Sequence, residues 1–131
     1  TIQGIAFLGL GGSLPCPGRT PNEYTEEELA QFLERACQGL DLGAPSVLVS
    51  HQPPLNTRAD LVRSGRHVGS QAVRAFIEAT QPLVCFTGHI HEGRGIDRIG
   101  ETSVVNPGPL RQGGYACAEI GPESAQVEIR G

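Results

Sequence analysis

The chain has no lysine, methionine or tryptophan, and aromatic residues supply 5% of its 131 positions. Every basic residue is an arginine and the formal net charge is −4, which argues weakly against a nucleic-acid surface, where a clustered basic patch is expected. Arginine forks match phosphate oxygens in pairs, but a coding bias toward arginine accounts for the missing lysines more simply. No apolar run nears the ~20 residues of a membrane-spanning helix, and no charged segment followed by an apolar one opens the chain. The four cysteines, Cys16, Cys37, Cys85 and Cys117, include no CxxC pair. That removes the spacing of a thiolate metal site and leaves nothing that demands disulfides. A non-membrane protein of the reducing cytoplasm is the expectation.

What is present is a globular composition, with 38% hydrophobic and 18% charged residues, enough apolar matter for a packed core. Glycine and proline together make about a fifth of the chain, in short clusters between apolar runs, which signals many turns. The length leaves room for one domain with a modest core. The chain starts at Thr1 inside an apolar run, as expected of a fragment, a cleaved product or a trimmed chain.

The pattern predicts a buried strand over residues 2–10, ended by Gly11-Gly12-Ser13, then a proline-rich loop over 14–24. Thr25 and Glu28 have capping-box spacing, and Leu29, Phe32, Leu33 and Ala36 form the apolar stripe of the helix behind them. The glutamates at 26–28 suit a helix N-terminus. A short strand over 47–49 runs into Ser50-His51-Gln52-Pro53-Pro54 and a long loop to about Gly69. Ser70 then caps a second helix burying Val73, Phe76 and Ile77, which ends before Pro82. Further strands are predicted over 83–86, 102–105, 115–120 and 125–129. Strands and helices alternating first, then closely spaced strands, make a mixed α/β sheet.

Three of the four histidines follow predicted strands directly, where ligand sites collect in open α/β folds. His89 and His91 are two apart, so an extended backbone would turn both rings to one side. Neutral imidazole is a good ligand for zinc, iron and manganese-class ions, and His51, His89 and His91 are the candidate metal ligands. His67 and Arg66 sit in the long loop, a place for substrate contacts or simply for solvated side chains. Gly11-Gly12-Ser13 offers backbone N–H groups to a phosphate only weakly, since no helix starts there. Arg19 and Arg111 read as surface residues. Glu92 either orients His91 as an outer partner or faces water.

Val49-Ser50-His51-Gln52-Pro53-Pro54, Gly88-His89-Ile90-His91-Glu92 and Val105-Asn106-Pro107-Gly108 resemble, in this order, the later motifs of the calcineurin-like metallophosphoesterases. The opening Gly-Leu-Gly-Gly-Ser and the TPNEYTEEEL segment are similar to the small bacterial and archaeal branch that includes cyclic-nucleotide-phosphodiesterase-like proteins. The resemblance covers nearly the whole chain as one domain, 1–131, corresponding to the C-terminal half of the phosphoesterase domain. It implies half of an αββα sandwich, with a mixed sheet and two main helices, one sheet face or edge being left uncovered. It also implies a metal-dependent phosphoesterase that hydrolyses phosphomono- or diesters with a hydroxide held at a dinuclear site. There His51 and His89 ligate one metal and His91 the other, while Asn106 and Gly108 support the loop behind the site. The two divalent ions would be manganese, iron or zinc.

The earlier motifs of that family, D-x-H, G-D-x-x-D and G-N-H-[ED], are absent. The aspartates are Asp41, Asp60 and Asp97, none in such a context. The bridging carboxylate and the histidine that protonates the leaving group are therefore expected outside this chain, on an N-terminal half or another chain. Three neutral imidazoles cannot offset the repulsion of two cations ~3.5–4 Å apart, so the chain alone is expected to be inactive, with no catalytic residue of its own. Two alternatives stand beside this: a mononuclear zinc hydrolase using His51, His89 and His91, and a non-catalytic scaffold of the same fold. An HxHxDH site is excluded because Gly93 and Arg94 stand where Asp and His belong.

Overall fold

The computed structural model describes residues 1–131. Its order is β1 (Ala6–Leu10), α1 (Glu26–Ala36), β2 (Ser46–Ser50), α2 (Gln71–Thr80), β3 (Val84–Thr87), β4 (Gly95–Ile99), β5 (Thr102–Asn106), β6 (Tyr115–Ile120) and β7 (Ala125–Arg130). Single 3-10 turns lie at Arg58–Asp60, His91–Gly93 and Leu110–Gln112. The main sheet has the order β1-β2-β3-β5-β4. Four of its strands run parallel and β4 closes the edge antiparallel to β5. β6 and β7 form a separate antiparallel hairpin.

The register sorts side chains cleanly between the two sheet faces. Leu8, Leu48, Cys85 and Val104 stand level across four strands. With Leu10 and Ile99 they meet Leu29 and Leu33 of α1 and Val73 and Ile77 of α2 in one core. Burying side chains of this size contributes roughly 1.5–3 kcal/mol each, so this face holds most of the stabilising apolar area. The Cys85 thiol inside it is pushed up to about 12 by burial and behaves as a small hydrophobe.

On the other face Val47, Val84 and Val105 are buried, and the hairpin packs against β4 and β5. Beyond its reach Phe7 (45% exposed) and Val49 (49% exposed) face outward. Beside them a cavity of about 610 Å3 is lined by Val49, Phe86, Leu110 and Tyr115, and His51 stands at its rim. One face of the sheet is thus only partly covered. No helix is long and apolar enough to cross a membrane.

Three local outcomes differ from expectation. Strand β1 begins at Ala6, because Gln3 and Gly4 take positive φ values of 50° and 80° and fold Ile2 back onto Ile5. Strand β4 is additional; its apolar residues are too sparse for an alternating pattern, yet β5 supplies a full antiparallel partner. The glutamates of α1 also do more than suit its own N-terminus. Thr25 and Glu28 form the expected capping box, but Glu26 reaches α2. Its carboxylate accepts from the Gln71 and Ala72 backbone N–H groups (3.2 and 2.6 Å) and from the Ser70 hydroxyl at 3.1 Å.

At a helix start, donors without intrahelical partners need such an acceptor. Ser70 satisfies Val73 N–H and Glu26 takes the two before it. Glu26→Ala is expected to destabilise the protein by about 1–2 kcal/mol, read as a lower denaturant midpoint, whereas Glu27→Ala leaves that midpoint nearly unchanged.

Candidate metal centre

Parallel pairing places the carboxyl ends of β1, β2, β3 and β5 on one side of the molecule. His51 follows β2, and its backbone is tied to both neighbours: its N–H donates to Leu10 O at 3.0 Å, and its carbonyl accepts from the Thr87 hydroxyl at 3.3 Å. Its Nε2 lies 3.0 Å from Nδ1 of His89, and the two rings are 4.7 Å apart between centroids. Two imidazole nitrogens on one ion, at about 2.0–2.1 Å and bond angles of about 90–109°, stand about 2.9–3.4 Å apart. The 3.0 Å between these nitrogens falls in that range and is also the distance of a hydrogen bond between the two rings.

His89 reaches this position through a strained backbone. Its φ is 64°, a left-handed value that non-glycine residues seldom adopt and that concentrates at functional sites. Asn106, buried at the end of β5, secures the turn. Its amide donates to Ile90 O at 2.8 Å and to Ala59 O at 3.1 Å, and its Oδ1 accepts from Gly108 N–H. The Val-Asn-Pro-Gly segment thereby holds the residue between His89 and His91.

His91 opens a 3-10 turn. Ile90 between the two histidines is extended, but His89 before it is left-handed and His91 after it enters the turn, so the segment is not one continuous strand. No three His, Cys, Asp or Glu side chains are grouped to hold one ion, so the three-histidine zinc site is not formed here. Glu92 accepts from Arg63 N–H at 3.2 Å, with no bond to His91. Arg66 and His67 line a cleft of about 530 Å3 that His89 also lines. The Gly-Gly-Ser turn offers less than expected, since Ser13 N–H already donates to Asn22 O.

A family model decides the chain's relations: residues 17–130 match the metallophosphoesterase model of the calcineurin superfamily. The chain belongs to that superfamily. It is 48% identical over 112 residues to the uncharacterized protein MJ1162 of Methanocaldococcus jannaschii, an alignment covering 82% of this chain and 50% of that protein. Two solved crystal structures share the fold. One has a TM-score of 0.68 at 23% identity, covering 95% of this chain and 48% of the other. The second, TT1561 of Thermus thermophilus, has a TM-score of 0.61 at 18% identity, covering 95% and 52%. The chain spans about half the length of each of these proteins. The mixed sheet with two helices is accordingly half of a metallophosphoesterase fold.

Two residues that pattern reading missed shape the surroundings. Glu23 fastens the loop beside the histidine pair, accepting from the Cys16 thiol at 3.0 Å and from Thr20 N–H at 2.8 Å. The Cys16 thiol, then the Thr20 amide, hold its carboxyl down at about 2. Gln52, fully buried, accepts from Leu14 N–H and donates to Val68 O, bracing both rims of the cleft. Only their contacts, fixed by the fold, mark them.

His89 loses protons more readily than an ordinary imidazole, first because it is partly buried and then because His51 and His91 disfavour a charge on it; Glu23 acts in the opposite sense. A depressed folded-state pKa favours folding above the unfolded imidazole pKa of about 6.5. That contribution is lost as pH falls through the lower folded value. In metal-free protein, an NMR titration of the imidazole resonances is expected to place His89 below 6.5, and substituting His51→Ala to move it back up.

Proposed function

We propose that this chain supplies the histidine side of a metal-dependent phosphoesterase site, completed by carboxylates from an N-terminal half or another chain. The observation that carries the reading is the His51–His89 pair at 3.0 Å, beside strand ends in a superfamily of metallophosphoesterases, with no third ligand grouped to it. His51 and His89 would share one ion and His91 would serve a second, with Asn106 holding the connecting turn. A divalent ion in such a site lowers the pKa of water and neutralises charge on a phosphoryl oxygen. The chain's own contribution is to hold these imidazoles at the strand ends. The lowered pKa of His89 favours the neutral form a ligand needs.

The partly covered sheet face supports the same reading. Phe7, Val49 and the cavity rimmed by His51 present apolar surface that the complementary half of a sandwich would bury. Exposed apolar patches of this kind mark interaction sites. Manganese, iron or zinc all suit the imidazole donors, and phosphate esters are the substrate class.

Hydrolysis of an aryl phosphodiester and an aryl phosphomonoester with added manganese tests this. The protein containing both halves is expected to turn over at least one ester, and the 131-residue chain to be nearly inert. His89→Ala in the longer protein should cost roughly 100-fold or more, given that losing even an outer partner of a metal ligand costs 10–100-fold. Strong metal-dependent turnover by the short chain would overturn the shared-site reading, and an inert longer protein would favour a scaffold.

A further inference from the structure

Asp60 is fully buried in the loop between β2 and α2. Both of its carboxylate oxygens accept backbone N–H groups: Oδ1 from Thr57, and Oδ2 from Asn56 and Gly69, at 2.9–3.0 Å. The loop base is closed independently, by Leu55 N–H to Ser70 O and Ser70 N–H to Pro53 O. Those contacts take two acceptor sites on Oδ2 and one on Oδ1, leaving one site on Oδ1. A further contact is made there: Nδ1 of His67 lies 2.6 Å from Oδ1.

That contact constrains the ring. Three backbone N–H groups donating to the two oxygens are the surroundings of an ionised, acceptor-only carboxylate, so Nδ1 is the donor of the contact and Nε2 is the ring's free nitrogen. The His67 side chain is 37% exposed while Asp60 is 0% exposed, so the carboxylate is the fixed element and the ring is open to solvent. His67 and His89 line the same cleft, with Arg66, Cys16 and Gln52. An imidazole held by a buried carboxylate on one nitrogen and open on the other is the arrangement of a proton-transfer group. None of this was visible in the loop's sequence, where a proton donor was expected only outside the chain.

Resting on the phosphoesterase reading above, we propose that His67, oriented by Asp60, is a catalytic residue that protonates the leaving oxygen of an ester bound in this cleft. In the step, an oxygen of water bonds to phosphorus and gives up a proton to solvent. The bond from phosphorus to the leaving oxygen breaks with its electron pair on oxygen. The proton on Nε2 of the His67 imidazolium passes to that oxygen, and the neutral ring regains a proton from solvent.

Two phosphate esters separate this role from a structural one: a phenyl ester, whose leaving oxygen needs a proton, and a 4-nitrophenyl ester, whose anion leaves unaided. In the protein containing both halves, with manganese, His67→Gln is expected to slow the phenyl ester about 100-fold or more but the 4-nitrophenyl ester less than about 3-fold, in line with the size of general-acid effects. Bound manganese per chain should be unchanged. Equal losses on both esters, no loss on either, or a fall in bound manganese would overturn the role for His67 while leaving the phosphoesterase reading intact. If the unsubstituted protein hydrolyses neither ester, both readings fall together. A second measurement needs no turnover: nitrogen NMR of the metal-free protein should show the neutral His67 ring protonated on Nδ1, and a proton on Nε2 instead would overturn the Asp60 constraint.

Discussion

Two ring nitrogens 3.0 Å apart tolerate one proton or one cation between them and resist a proton on each. Much of the local construction serves that spacing. His51 is pinned through its backbone to the ends of β1 and β3, and His89 is held at a left-handed φ by a turn that Asn106 grips from below. Backbone strain of order 1–3 kcal/mol persists only where surrounding contacts overdetermine it. Here the contacts come from a buried amide whose donors and acceptor are all engaged. The depressed proton affinity of His89 follows first from its partial burial and then from the neighbouring imidazoles.

The sheet explains why these residues meet at all. Parallel strands bring their carboxyl ends to one edge, so residues 38 positions apart in sequence become neighbours once β2 and β3 are in register. Packing α1 and α2 on one face leaves the other to the hairpin. The faces differ in kind: one is a closed core, the other a partly covered apolar surface.

Elements governed by local chemistry were legible in the sequence. The Thr25 box and the Ser70 cap mark both helix starts, and the apolar runs mark six of the strands. The motifs around His51, His89 and Asn106 pointed to the correct superfamily. What escaped depends on contacts between distant segments. Strand β4 exists because β5 pairs with it, and Glu26 caps a helix some 45 positions away. The Asp60–His67 contact joins residues of a loop that carries no periodic pattern. The left-handed backbone of His89 also escaped, because sequence spacing says nothing of a positive φ after a glycine.

The Gln52 side chain, fixed between Leu14 and Val68, has a mechanical consequence. One short strut ties the two walls of the cleft together, so displacing either wall breaks a part-buried hydrogen bond. The two walls, 38 and 16 positions from Gln52 in sequence, are thereby mechanically coupled through one side chain.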